Sequence, residues 1–328
     1  MALSSLSSNE SQAVLSETLN PAERWFLHLG KVVIATLAMT SISGDLLMFA
    51  TFLSNSSLQT RPNCLFASLI LADFLLAVFV MPLEAVHLSV LPAWPFSIAL
   101  CNIWNSAVVV LATSLLLSIM AMSLDKLYAV HRPLHYSYHI SGKVLIAMAL
   151  VWSYAGTSGI TTYFLWTRSE VGCRVLSLPF EYSAPFLLLN VLLPYTVCVV
   201  TNLVILKVSR KQSLRVYCSH DQNQRATLAK RRKGIRTITL LIGVFSVFCL
   251  PFFTFHVVDA VTEEALENRF YALNIVQWLL FLNSSLNWAL YGLLNREFRL
   301  ACLRLITKTK DKLFTSCKPN STSVLHLR

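Results

Sequence analysis

Charge is the scarcest thing in this sequence. Asp, Glu, Lys and Arg make up 13% of its 328 residues, against 55% hydrophobic, and the mean hydropathy is +0.60. A soluble chain of this length would form about two domains, but its surface would need far more charge. The composition fits a protein whose surroundings are lipid. Metal-ligand spacing is missing too. The eight cysteines are scattered, with no CxxC pair or His/Cys cluster, which argues against zinc and redox-dithiol designs. No nucleophile–base constellation is present, so an enzyme is not expected. No block repeats, as the internal duplication of many transporters would require. A channel or transporter would also carry polar or charged side chains through several spans, and only Asp45, Asp73 and Glu84 are available. Residues 1–24 lack a basic stretch leading into a short apolar core, so no cleaved leader is expected.

Long apolar runs are what the chain has in abundance. They lie at Trp25–Leu53, Cys64–Leu91, Ile98–Val130, Val144–Trp166, Tyr182–Val208, Ile235–Val261 and Phe270–Leu294. Each is long enough to cross a hydrocarbon core of about 30 Å as a helix. Helices are the expected form, because no water is there to satisfy an open backbone. Pro82, Pro194 and Pro251 fall inside these runs and are expected to kink them. The expected fold class is an all-α membrane protein, a seven-transmembrane helix bundle over 25–294. A polar tail, 1–24, precedes it. In 295–306, Phe298, Cys302 and Leu305 share one helical face among basic residues. That pattern predicts a short amphipathic eighth helix along the membrane surface, followed by a tail at 307–328.

The net charge of +11 raises the possibility of nucleic acid, but its distribution excludes that. Arg61, Lys126, Arg132 and Lys143 flank loops on one side, and the basic run from Lys207 to Arg236 and the basic tail from Arg296 lie on the same side. The acids Glu10, Glu17, Glu23, Glu170, Glu181, Asp259, Glu263, Glu264 and Glu267 collect on the other. By the positive-inside rule the N-terminus is outside and the C-terminus inside, and the basic residues mark the bilayer surface as a partner. Asn9 begins a glycosylation sequon on the outer side. The sequons at Asn55, Asn283 and Asn320 fall in a cytosolic loop, a membrane helix and a cytosolic tail, and are read as chance. Cys302 is either a palmitoylation site or a buried thiol.

The stretch from Cys101 to Tyr136 organises the rest. Its apolar body ends in Ser123-Leu124-Asp125-Lys126-Leu127, then a short basic loop broken by Pro133. This layout resembles the third helix of rhodopsin-like (class A) G-protein-coupled receptors, where an Asp-Arg-Tyr triplet faces the G protein. Further motifs fall in family order: Gly44-Asp45, Leu71-Ala72-Asp73, Trp94, Trp152, Pro194, Phe245, Pro251 and Asn287-Trp288-Ala289-Leu290-Tyr291. The sequence departs from the family at Asp45 for Asn, Leu115 for Ser, Lys126 for Arg, Leu127 for Tyr, Asn202 for Tyr, Cys249 for Trp and Trp288 for Pro. Arg231 lies near where many members have an acid. Lysine cannot offer the planar fork of arginine, and Arg231, Arg232 and Lys233 would repel it, which puts the usual switch in doubt.

The resemblance implies a disulfide between Cys101 and Cys173, in a compartment that permits one. It implies a switch and G-protein-coupling set of Asp125, Lys126, Leu127, Cys249, Pro251, Asn287 and Tyr291. Ligand-facing candidates by position are Glu84, Val108, Ala112, Phe186, Asn190, Phe252, Phe253, His256, Gln277 and Phe281. Amine receptors of the family have an acid where Val108 stands, and opsins a lysine where Phe281 stands, so neither ordinary amine recognition nor retinal is expected. Asp45, Asp73, Asn283, Ser284 and Asn287 form either a sodium site or a structural network with one acid protonated. No other cofactor or metal is expected. Glu84 lies three helical turns beyond Asp73, on the same face. It either meets a cationic ligand group or is an interfacial acid satisfied by His87 or water. The expected function is a plasma-membrane receptor coupling an extracellular ligand to heterotrimeric G protein and arrestin. The alternatives are a constitutively active or non-signalling relative, and a channel or transporter.

Overall fold

A computed structural model describes residues 20–90, 94–132, 136, 142–165, 173, 180–217, 239–261 and 269–316. All regular structure among them is helical. Helix α1 is Pro21–Ser54, α2 is 61–90, α3 is Ile98–His131 and α4 is Gly142–Leu165. Helix α5 is 180–217, α6 is 239–261, α7 is Arg269–Leu294 and α8 is Arg296–Ser316. The last runs on well past Ile306, where the apolar face was expected to end.

Local sequence sets where these helices start. Asn20 caps α1: its side chain accepts from the Glu23 amide at 2.8 Å, and the Glu23 carboxylate accepts from the Asn20 amide at 3.0 Å. Pro21 supplies the first helical residue, where its missing N–H costs nothing. Ser97 caps α3 by accepting from the Leu100 amide at 3.3 Å. Asn295 ends α7 and caps α8, accepting from the Glu297 amide at 3.1 Å.

Among the described residues, six helices are long and apolar enough to cross a bilayer, α1 to α6. Helix α7 is studded with Asn274, Gln277, Asn283, Ser284, Ser285 and Asn287, all buried, and so falls short on apolarity. At 26 residues it is about 39 Å long, more than a hydrocarbon core needs. Trp25, Val32, Met39, Phe79, Ile103, Phe164, Leu188 and Val247 point outward and exposed, as lipid-facing side chains do. Hydroxyls on the rods bond back to their own helix, as with Thr36 to the Val32 carbonyl (2.8 Å) and Thr161 to that of Thr157 (2.9 Å). In hydrocarbon no water would take their place.

Helix α3 is the central rod, packed against α2, α4 and α5, while α1 lies against α2 and α7. Helix α8 turns back onto α1 and α7. Three close approaches require glycine among the described residues: a Cβ at Gly30 would run into the Trp278 ring, one at Gly44 into the Trp288 indole, and one at Gly159 into Val110 of α3.

The three prolines distort their helices by a shared route. Proline lacks an N–H and its ring crowds the carbonyl four residues back. In α2 the turn Leu76–Val80, just before Pro82, widens to π geometry, with the Met81 amide donating to the Leu76 carbonyl. In α5 the turn Leu188–Leu192, just before Pro194, does the same through Leu193 and Leu188. Helix α6 breaks at Cys249, two residues before Pro251, where the Phe253 amide stretches to the Cys249 carbonyl at 3.4 Å. Helix α7, with Trp288 where the family has proline, runs without interruption.

Candidate functional site

The functional residues form three groups along the bundle. At one end Cys101, in the first turn of α3, is bonded to Cys173, with Cα atoms 5.9 Å apart. Asn105, one turn on, donates to the Cys101 carbonyl at 3.0 Å and lies 3.6 Å from each sulfur. Trp94 stacks on Trp104, and His87 meets both edge-on. Trp104 donates its indole N–H to the Val80 carbonyl at 3.3 Å, tying α3 to the widened turn of α2.

Between α3, α5 and α6 lies a narrow, mostly apolar cavity. Of the ligand-facing candidates, Val108, Ala112, Phe186, Asn190, Phe252 and Phe253 line it. Val109, Thr113, Leu116 and Val191 complete the wall and were not foreseen. Helical spacing from Val108 and Ala112 would have found the α3 members. Asn190 offers the cavity little polarity: its carbonyl accepts from the Ser158 hydroxyl at 2.8 Å and its amide donates to the Phe186 carbonyl at 2.9 Å. His256 packs edge-on to Phe252 at 4.5 Å, and Phe281 is buried in the core.

The remaining two candidates pair with each other. Glu84 is 2% exposed, and the Gln277 side chain of α7 hydrogen-bonds its carboxyl. Its Oε2 has no partner, nor has His87 Nε2. His87, one of the partners expected for Glu84, does not hold it; Gln277 does. His87 is turned instead toward the tryptophans.

The middle of the bundle holds a buried polar group. Asn287 donates to Asp73 Oδ2 at 2.8 Å, and Ser284 also hydrogen-bonds Asp73. Ser41 donates to Asp45 Oδ2 at 3.2 Å and lies 3.3 Å from Ser284 Oγ. Asp45 and Asp73 are both 0% exposed. Asp45 Oδ1, Asp73 Oδ1, Ser114 Oγ, Asn283 Oδ1 and Trp288 Nε1 have no partner. Four of these five are oxygens, the donor type that sodium and other hard cations take. Among the described residues, no group of three or more His, Cys, Asp or Glu is placed to hold a metal. Ser41 and Ser114 were not foreseen; small hydroxyl residues on apolar helices leave little pattern to read.

At the far end Asp125 has two partners. Tyr136 donates its hydroxyl to Oδ2 at 2.6 Å, and Arg61, the first residue of α2, places Nη2 3.4 Å from Oδ1. The second contact is an ion pair without hydrogen-bond alignment, since Oδ1 and Arg61 Nε both lack a hydrogen bond. The Arg61 guanidinium also sits 5.2 Å over the Tyr136 ring. Leu127 packs on the small cluster of Val130 and Ile205 between α3 and α5. Arg231, Arg232 and Lys233 lie outside the described residues, as do Asn9 and Asn320.

Nearby contacts fasten the other helices. Tyr291 donates to Asn63 Oδ1 at 2.7 Å, and its ring lies between Phe66 and Phe298. Thr239 of α6 donates to Asn202 of α5 at 2.9 Å, and Tyr195 and Ser246 are 2.8 Å apart. Cys302 is buried against α1, 3.2 Å from Thr51 Oγ1 and 3.8 Å from Met48 Sδ.

Residues 44–291 match the family described as 7 transmembrane receptor (rhodopsin family). The histamine H2 receptor of Rattus norvegicus is 30% identical over 315 residues, covering 89% of this chain and 86% of that receptor. The human histamine H2 receptor is 30% identical over 314 residues, with 89% and 84% covered. The trace amine-associated receptor 4 of Mus musculus is 26% identical over 315 residues, with 90% and 88% covered.

Proposed function

The chain belongs to the rhodopsin family of seven-transmembrane receptors, and on that premise we propose that it carries an extracellular ligand signal to a heterotrimeric G protein and to arrestin. It is a multi-pass membrane receptor, not an enzyme. In this reading it sits in the plasma membrane with the N-terminus and the disulfide end outside. A cystine belongs in an oxidising compartment, and the basic loops belong inside. Helix α8 lies along the inner membrane surface, its Phe298 and Cys302 face turned to the bundle.

The observation that carries the proposal is the arrangement along α3. One length of this rod walls the apolar cavity, and its far end carries the Asp125 clasp. A ligand that binds one helix arrangement better shifts the population toward it. Helices α5 and α6 are each widened or broken before a proline, and two hydrogen bonds, Asn202–Thr239 and Tyr195–Ser246, tie them to each other. The relatives' names point to amine ligands, but Val108 stands where amine receptors carry their acid. Asp45, Asp73 and Asn283 have the oxygens to hold a sodium ion, which would supply charge to a buried acid pair.

The test is a panel of G-protein classes and arrestin in transfected cells, scored per receptor at the surface. Basal signal is expected in at least one arm. The double change Lys126→Arg with Leu127→Tyr is expected to raise it, because arginine and tyrosine restore the family triplet. Silence in every arm for both proteins, at normal surface density, would favour a receptor-like protein that does not signal.

A further inference from the structure

We propose that one flank of α8 binds an anionic phospholipid of the inner leaflet, its phosphate held by Arg296 and Arg299 and its acyl chains lying on Leu303 and Ile306. This deepens the receptor reading and rests on the orientation given there. The bundle takes one face of α8, where Phe298, Ala301 and Cys302 are buried. At 3.6 residues per turn, the residues beside that face divide into two unlike flanks. Arg296, Arg299, Leu303 and Ile306 fall within about a quarter turn of one another on the first. Glu297, Arg304 and Lys308 fall on the second. All of them are exposed. The first flank pairs cations with apolar groups, while the second carries charges of both signs.

Contact with α7 tells which flank meets lipid. Arg299 Nη1 donates to the Leu293 carbonyl at 3.0 Å, and the Leu293 side chain is 66% exposed. Leu293 belongs to the lipid-facing surface of the last turn of α7. The flank with Arg299 continues that surface, and the flank with Arg304 turns to the cytosol. Cys302, 3.2 Å from Thr51 Oγ1 in the last turn of α1, fixes α8 at the level where the rods end and headgroups begin. Two guanidinium groups at that level meet phosphates, which arginine can hold with paired hydrogen bonds. Their stems lie along acyl chains beside the apolar residues. A zwitterionic lipid cancels its own phosphate, whereas an anionic one keeps a net charge for the pair. A soluble phosphate would leave Leu303, 54% exposed, in water, so the occupant is a lipid.

The test uses the full chain in micelles holding equal amounts of phosphatidylserine and phosphatidylcholine, with bound lipid counted by native mass spectrometry. No G protein enters. Basic residues elsewhere give every variant the same background, so the comparison is between variants. Arg296→Gln with Arg299→Gln should lower the preference for phosphatidylserine about fivefold to thirtyfold, at about fivefold for each cation near an anionic surface. Arg304→Gln with Lys308→Gln makes the same change of charge on the other flank and should leave the preference nearly as it was. If the first pair does not fold, Arg296→Gln alone carries the test, with a loss of about fivefold. Glycerophosphoserine, the headgroup without its chains, is expected not to compete. Equal losses in the two charge-matched pairs, no loss in the first, or competition by glycerophosphoserine at the lipid's own concentration would each overturn the inference. So would binding of calcium-loaded calmodulin to the wild type in lipid nanodiscs that Leu303→Asp removes, since the flank would then be turned to water. A protein that couples to G protein yet shows no such lipid preference sinks this inference alone.

Discussion

Breaking the Asp125 clasp should raise basal signalling. Arg61 Nη2 and Asp125 Oδ1 are 3.4 Å apart, with side chains 15% and 5% exposed. At an effective dielectric of about 20, the gross attraction at that distance is about 5 kcal/mol, most of it offset by the desolvation of both groups. The Tyr136 hydroxyl adds a hydrogen bond to a charged acceptor, and such bonds have a net worth of about 1.5–3 kcal/mol. A loss of roughly 1.4 kcal/mol confined to the clasped arrangement moves the equilibrium about tenfold. A receptor active for about 1% of the time would then be active for about 10%. The perturbations are Arg61→Gln and Tyr136→Phe, singly and together. The two side chains share Asp125 and touch one another, so their effects should fall short of additive. The assay is basal signal per surface receptor in the most responsive arm of the coupling panel. Unchanged basal signal in all three variants, at equal surface density, would refute the clasp as a restraint, since it would then be equally made in both arrangements.

Two further outcomes are expected. Cys101→Ser or Cys173→Ser should lower surface expression, because losing a native disulfide costs about 2–5 kcal/mol in small secreted domains; mass mapping that finds both thiols free in the mature wild type would contradict this. Sodium chloride, compared with choline chloride at equal ionic strength, should raise the melting temperature of the purified receptor, and Asp73→Asn should remove the difference; equal stabilisation of both proteins by both salts would remove the sodium site.

The sequence made the helices legible because hydrocarbon leaves so few choices. An apolar run bounded by charge can hardly be anything but a rod, and Trp25–Leu53 and Phe270–Leu294 fall within a few residues of α1 and α7. The disulfide was legible only through the family resemblance, since spacing alone pairs no two cysteines. Partners of the buried polar groups were not legible at all. Glu84 was read as meeting a ligand cation or as satisfied by His87 or water, yet its partner, Gln277, arrives on α7. Asp125 was read in its triplet with Lys126, while the structure brings Arg61 to it from the start of α2 and Tyr136 from beyond the end of α3. Such pairings depend on the rotation of each rod about its axis. A π turn before Pro82 shifts that rotation by part of a turn, and no count at a fixed helical period anticipates it.

The departures from the family pattern gain meaning from where they fall. Helices α2, α5 and α6 keep their prolines and each is widened or broken just before one. Helix α7 alone lost its proline among these motifs, and its indole at 288 fills the space against Gly44 that any side chain there would need. That close fit, with Ser285 donating to the Leu37 carbonyl at 3.0 Å, joins α7 to α1 along the middle of the bundle. Tyr291 then carries the same helix to Asn63 of α2. So α1, α2 and α7 form one fastened block with the polar centre inside it. Opposite it, α5 and α6 are linked to each other through Asn202–Thr239 and Tyr195–Ser246. A ligand between these two groups acts on a built-in division of the bundle. The weak places lie at Leu188–Leu192 and Cys249, directly beside Phe186, Asn190, Phe252 and Phe253 of the cavity wall.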